Sequence, residues 1–318
     1  MITRPTTLVL GAGASVPYGF PTGEGLAERI REIARERGSK EYTQLLSLSV
    51  APREISKFVA ALDGITLNSV DLTLQYRPEF SRVGKLMIAI AILEKEVYGP
   101  LQYRAGQNGA WYPLLLGALH APREMMDGNK LNVITFNYDR SLEVYLQTAF
   151  SHLYNIDQTA AGEIVKRIPI LHMHGVVGAL PWENPNEFIK YEAWTQEPNE
   201  QLLDHAARRI RVIHEEDETV AENETLARAR SMLLSSREVI FVGMAYHRMN
   251  IERLNLDEVK GQNRRLTLRG TGCALPIAHR VAAREQWGIE IDERKENRAY
   301  EYFRDVYSLL TPQEEGQG

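Results

Sequence analysis

The sequence predicts an α/β fold: a Rossmann-like, mostly parallel sheet with helices on both faces and a large helical insertion. Three observations carry this. The apolar run Leu8-Val9-Leu10 is followed at once by Gly11-Ala12-Gly13-Ala14-Ser15 and then by an amphipathic helical stripe, which is the strand, glycine turn, helix order of a βα unit. Further short apolar runs begin near residues 131, 168, 239, 266 and 289, and helix-period segments separate them; such alternation marks a parallel sheet buried on both faces. The runs also end in glycine or in polar residues, at Asn137, His174, Gly243 and Gly270, and the carboxyl edge of such a sheet is where ligands bind.

Taken in order, Thr7 to Leu10 is the first strand, and Leu26, Ile30, Ile33 and Ala34 form the buried stripe of the first helix. The turn between them is expected to offer bare backbone N–H groups to a phosphate, with Gly11 and Gly13 allowing close approach. Residues 40 to 128 read as helical, with stripes at Ile55, Phe58, Val59 and Leu62, at Leu86, Ile90 and Leu93, and at Trp111, Leu114, Leu115 and Ala118. This is the insertion between the first two strands. Leu131 to Thr135 is the second strand, and a helix follows from about Arg140 to Ala149. Ile168 to Leu171 is the third strand. Residues 176 to 200, with Gly178, Pro181, Pro185 and Pro198, read as a long loop near a site. Residues 200 to 235 read as helix broken once, with a solvated acidic stretch at Glu215 to Glu218. Strands at Val239 to Val242, Leu266 to Leu268 and Ile289 to Ile291 complete the sheet, with a helix at Ala278 to Gln286 and a last one at about Arg298 to Leu310. Residues 311–318 read as a frayed tail, and the whole of 1–318 as one domain carrying insertions at about 40–128 and 176–235.

Composition narrows the function. At 44% hydrophobic the 318-residue chain can bury a large core. Its longest apolar candidate, Leu86 to Leu93, is far short of a membrane span and is flanked by Lys85, Glu94 and Lys95. The amino terminus runs from Met1 into a strand without a signal-peptide pattern, so the expectation is a cytoplasmic protein. The single cysteine, Cys273, excludes an intrachain disulfide framework and a multi-cysteine zinc site. A net charge of −5 with only two small basic clusters gives no reason to expect nucleic acid.

Four blocks carry candidate chemistry. The first is the Gly11–Ser15 turn with Gly19-Phe20-Pro21 behind it. The second, Thr135-Phe136-Asn137-Tyr138-Asp139, delivers Asn137 and Asp139 at a strand end; Asp139 also reads as a cap for the next helix. The third, His172-Met173-His174-Gly175, places two histidines on one side of an extended chain, either as core histidines or as a metal pair without evident co-ligands. The fourth is Gly243 with Tyr246, His247 and Asn250, where Asn250 reads equally as a helix cap. Ser69-Val70-Asp71 with Gly84-Lys85 adds a weaker fit, and Asp71 either faces the site or caps a helix.

In this order the blocks resemble the sirtuin family: Gly-Ala-Gly-x-Ser and Gly-x-Pro, an Asn-x-Asp strand end, His-Gly, and a late strand closed by Gly. Asn-Tyr-Asp and Gly…Tyr-His…Asn resemble the bacterial sirtuin-like proteins more than the protein deacylases. The resemblance implies catalytic roles for Asn137 and His174 and NAD contacts from Gly11, Ala12, Gly13, Ala14, Ser15, Pro21, Asp139, Gly243 and Asn250. His172 has no counterpart in the basic motif and reads as a structural or supporting residue. Two departures stand out: one cysteine cannot form the zinc quartet of deacylating sirtuins, and Thr22-Gly23-Glu24 stands where Asp-Phe-Arg usually follows Gly-x-Pro. They favour the zinc-less, NAD-hydrolysing branch associated with antiphage defence. The implied reaction is cleavage of the nicotinamide–ribose bond of NAD, with His174 as general base and no metal. Alternatives are an NAD-dependent deacylase, a non-catalytic NAD or ADP-ribose module, and a His-x-His metal hydrolase. Such an activity implies control, by a homo-oligomer or by a separately encoded activator such as an ATPase or an Argonaute-like protein.

Overall fold

The computed structural model describes residues 1–64, 69–211, 219–294 and 297–306. Its six strands are β1 (Thr6–Leu10), β2 (Leu131–Thr135), β3 (Ile170–His172), β4 (Glu238–Val242), β5 (Thr267–Gly270) and β6 (Glu290–Ile291). They form one sheet in the order β3-β2-β1-β4-β5-β6, and every neighbouring pair is parallel. Each run expected to be a strand is one. Because all strands point the same way, the Gly11, Asn137, His174 and Gly243 loops leave from the same edge. The order reverses direction at β1, which pairs with β2 on one side and β4 on the other, so the first loop lies at the topological switch point.

The segment between β1 and β2 holds seven helices among the described residues: α1 (Gly23–Arg35), α2 (Lys40–Ser47), α3 (Pro52–Gly64), α4 (Val70–Tyr76), α5 (Ser81–Leu93), α6 (Tyr98–Leu101) and α7 (Tyr112–Leu119). Thr22 and Ser69 start α1 and α4 by accepting the N–H groups of Gly25 and Leu72. In α5 every residue from Leu86 to Leu93 is buried, the pattern of a helix enclosed on all sides. Gly84 lets α4 approach it: a Cβ there would stand 2.4 Å from Leu74 Cδ2.

After β2 come α8 (Ser141–Tyr154) and α9 (Gln158–Val165); after β3 come α10 (Ala193–Gln196), α11 (Glu200–Arg209) and α12 (Thr219–Leu234). The remainder is α13 (Arg248–Arg253), α14 (Leu256–Gln262), α15 (Ile277–Trp287) and α16 (Ala299–Glu301). Successive β1 residues face opposite ways. Leu8 and Leu10 join the core under α1, α5, α7, α8 and α11, and Val9 joins the core under α12 to α15. Both faces are covered, which is why the strands read as unbroken apolar runs.

Some boundaries differ from the sequence reading. β3 starts at Ile170, because Pro169 has no N–H to donate and contributes only its carbonyl, to Val133 N. α8 runs on to Tyr154, where Asn155 takes the left-handed conformation at φ 49°. The loop expected at 176–200 contains the short α10. Among the described residues the expected last helix is the turn Ala299–Glu301, continuing as a π-helix over Tyr302–Val306, and its expected end at 307–310 lies outside them. The acidic stretch at 215–218 and the tail at 311–318 lie outside the described residues.

Candidate functional site

The first loop differs from its expected form. Two 3₁₀ turns, Ala12–Ala14 and Val16–Tyr18, follow β1, and α1 begins only at Gly23. The amides of the turn are largely engaged within the protein. Gly11 N–H donates to Val242 O, Gly13 N–H to Gly243 O, Ala14 N–H to Gly11 O and Ser15 N–H to Ala12 O. The expected row of bare N–H groups is therefore corrected. The glycines answer to a different requirement: a Cβ on Gly13 would lie 2.8 Å from Gly243 O, and one on Gly243 would lie 2.1 Å from Ala14 N. The β1 and β4 loops interlock through backbone, and Gly243 does so at φ +65°.

The helical insertion fixes this loop from behind. Trp111 Nε1 donates to Ala14 O at 2.9 Å, while Tyr18 Oη accepts from Trp111 N at 3.0 Å and Tyr112 N at 2.7 Å. Burial pushes the Tyr18 hydroxyl far above its ordinary pKa, against those two N–H donors. The Tyr18 and Tyr112 rings stack at 3.8 Å. Pro21 is half-buried, one residue before the Thr22 cap.

Asn137 is brought directly to this loop. Its Nδ2 donates to Gly11 O at 3.1 Å and to Ser15 Oγ at 3.0 Å. A backbone carbonyl only accepts, so the amide nitrogen faces Gly11. Asp139 is buried; its Oδ1 accepts from Ser141 N at 3.0 Å and from the Ser141 hydroxyl. It thus serves the first amide of α8 from one residue before the cap position, which Arg140 holds, so the expectation that Asp139 itself caps a helix starting at Arg140 is corrected. Burial raises the Asp139 pKa, opposed by hydrogen bonds from Ser141 and Ser15. Tyr138, between them, donates its hydroxyl to Asp71 on α4. Asp71 therefore meets the strand-end block, and Ser69 rather than Asp71 caps the helix.

His174 is 3% exposed, and its ring lies 5.4 Å from that of Phe136 and 6.1 Å from that of Tyr138. The His-Gly block thus stands beside both neighbours of Asn137. Gly175 has φ +71° and bridges Ile210, and a Cβ there would stand 2.1 Å from Arg209 O. His174 O accepts from Arg211 N at 2.9 Å, so the end of α11 closes over the block. His172 points elsewhere: Nδ1 meets Asn137 O at 2.9 Å and Nε2 meets Glu143 Oε1 at 2.7 Å.

At β4, Gly243 N–H donates to Thr271 Oγ1 at 2.8 Å and Tyr246 Oη donates to Thr271 O at 3.0 Å. Gly270 leaves room for that hydroxyl, since a Cβ would lie 2.0 Å from it. Asn250 sits inside α13 with its N–H on His247 O, and His247 holds the cap position; its capping role is thereby excluded. The structure joins Gly11–Ser15, Asn137, Asp139, His174 and Gly243 at one sheet edge, and no described hydrogen bond ties Pro21 or Asn250 into the group.

Two buried pairs escaped the sequence reading. Glu143 is the partner of His172. Arg140, 1% exposed, donates Nε to Glu96 Oε1 at 2.8 Å and Nη1 to Ile189 O at 2.6 Å and Ala179 O at 3.2 Å, which ties the 176–191 loop to α8. A charged residue directly behind a strand-end block was the available signal for Arg140; Glu143 gave none beyond its place one turn into a helix of otherwise buried residues.

Residues 131–275 match the family model described as the SIR2-like domain. The chain is sirtuin-like. The matched span runs from β2 past β5 and contains Asn137, His174 and Gly243; the Gly11–Ser15 loop lies before it and reaches it through Asn137 and Gly243. No curated protein matches the chain significantly. The match connects this stretch to NAD-related chemistry. Among the described residues, no cluster of three His, Cys, Asp or Glu side chains is placed to hold a metal, and no helix is long and apolar enough to cross a membrane.

Proposed function

We propose that this sirtuin-like chain hydrolyses NAD, cleaving the nicotinamide–ribose bond to give nicotinamide and ADP-ribose, and that it serves antiphage defence by depleting NAD. The observation that carries the reading is the junction of Asn137 with the Gly11–Ser15 loop beside the His-Gly block, at the switch point of a parallel sheet. With its amide nitrogen held by Gly11 and Ser15, the Asn137 side chain is fixed and keeps its carbonyl oxygen as an acceptor. Such a dipole orients a ribose hydroxyl or the attacking water, and favours the positive charge that grows on the ribose as neutral nicotinamide leaves. His174 accepts the proton of that hydroxyl or water. Gly11, Ala12, Gly13, Ala14, Ser15, Pro21, Asp139, Gly243 and Asn250 line the NAD site, the engaged amides shaping the loop and Ser15 offering its hydroxyl. A single cysteine cannot build the zinc quartet that accompanies deacylation in the family, which favours hydrolysis over deacylation. The protein works in the cytoplasm as a homo-oligomer or under a separately encoded activator.

The test incubates pure protein with NAD, with and without an acetylated peptide, and follows NAD in phage-infected cells expressing the parent, Asn137→Ala or His174→Ala. Free ADP-ribose, lost by about 10²–10⁴-fold in either variant with unchanged thermal melts, is the expected result. O-acetyl-ADP-ribose as the product, or NAD intact both in the pure reaction and in infected cells, overturns the reading.

A further inference from the structure

We propose that His172 and Glu143 form a proton-holding pair that positions Asn137 for catalysis; this rests on the reading of Asn137 as a residue acting on NAD. The argument is proton accounting. His172 Nδ1 lies 2.9 Å from the backbone carbonyl of Asn137. A carbonyl has no proton to give, so Nδ1 carries one. Nε2 lies 2.7 Å from Glu143 Oε1, and that contact also needs a proton between its atoms. The pair therefore holds one exchangeable proton, as imidazolium with carboxylate or as imidazole with carboxylic acid. Once it leaves, a nitrogen lone pair faces a carboxylate and the contact opens.

The surroundings favour keeping the proton. Glu143 faces His172 from α8, Asp139 from the β2–α8 loop and Glu183 from the 176–191 loop; Glu96 follows α5 and is neutralised by Arg140. Burial works against a charged imidazole, yet Glu143, Asn137 O and Asp139 outweigh it and hold the His172 pKa above its ordinary value. His172 meets the backbone of Asn137, not its side chain, so it acts as a positioning residue. The bond it donates pins the turn from which Asn137 reaches Gly11 and Ser15.

Glu143→Gln separates this role from mere packing. A glutamine N–H donates to a neutral His172 Nε2, which preserves both contacts without a titrating proton. The expected result has three parts. The kcat of the parent for NAD cleavage falls at alkaline pH, at the pH where NMR shows the His172 ring titrating. Glu143→Gln keeps kcat near neutral pH and loses that alkaline limb. Glu143→Leu loses about tenfold to a hundredfold in kcat, since misplacement by about 1 Å costs on the order of 10²-fold. Glu143→Gln as impaired as Glu143→Leu, or with the alkaline limb unmoved, overturns the proposal. Should the parent leave NAD intact both in the pure reaction and in infected cells, the functional reading fails by itself, while the NMR titration still decides the pair: a His172 ring titrating like an isolated histidine, near pH 6.5, overturns it.

Discussion

Arg140→Ala is expected to destabilise the protein by about 3–5 kcal/mol, the usual consequence of stranding one member of a buried ion pair. Arg140 and Glu96 side chains are each 1% exposed, so water cannot replace the lost partner. Burial already pushes the Glu96 pKa up, with Arg140 opposing it, and without Arg140 the carboxylate must take a proton or open the structure. The same change removes the donor from Ile189 O and Ala179 O and unties the 176–191 loop. With an unfolding entropy of ~2.1 cal/mol/K per residue over 318 residues, the loss lowers Tm by about 5–8 °C. Replacing both charges, as Glu96→Leu with Arg140→Leu, recovers part of this because no stranded charge remains. The assay is a double-mutant cycle by urea denaturation and calorimetry. A loss below about 1 kcal/mol for Arg140→Ala, well under that range, or a double variant no more stable than Arg140→Ala, refutes the reasoning.

Three other outcomes follow from the geometry. Gly243→Ala loses about 1–2 kcal/mol from its left-handed backbone alone, and more as the Ala14 amide, 2.1 Å from the new Cβ, is displaced; an unchanged denaturation midpoint contradicts this. The His172 pKa is raised in the folded state, so its contribution to stability is complete below its unfolded pKa of about 6.5 and is lost as pH rises through the folded value. Urea midpoints of the parent should accordingly fall toward those of His172→Gln as pH rises above about 6.5, and a widening gap contradicts the pairing. Elemental analysis of purified protein should find no stoichiometric zinc, because Cys273 stands alone; a stoichiometric content overturns that.

The sheet was legible because its strands are buried on both faces. Leu8-Val9-Leu10 and Val239 to Val242 read as apolar without interruption, and each ends where the chain must turn at the ligand edge. The candidate site was legible as a set of strand ends: Asn137 reaches the first loop, and the His174 ring lies beside Phe136 and Tyr138. What the sequence concealed depends on partners far along the chain. Gly11 and Gly13 read as room for a phosphate, whereas the structure spends them on contact with Gly243 and Met244. Nothing local tells Glu143 to face His172, or Glu96 to face Arg140, because each pairing is made only when β3 or the α5 end arrives. In α8 the residues from Ser141 to Gln147 are all buried, so no polar stripe marks which side holds Glu143.

The interlocked loops set a timetable for the growing chain. β1 leaves the ribosome first, yet its two sheet neighbours begin at Leu131 and Glu238, and Gly13 has no acceptor until Gly243 exists. At roughly 5–20 residues per second, on the order of ten seconds or more pass during which the glycine loop cannot take its final shape. Contacts this distant in sequence form late. A nascent or truncated chain therefore carries the loop, Asn137 and His174 without the frame that aligns them, and the assembled sheet edge belongs only to chains that have been made past the fourth strand.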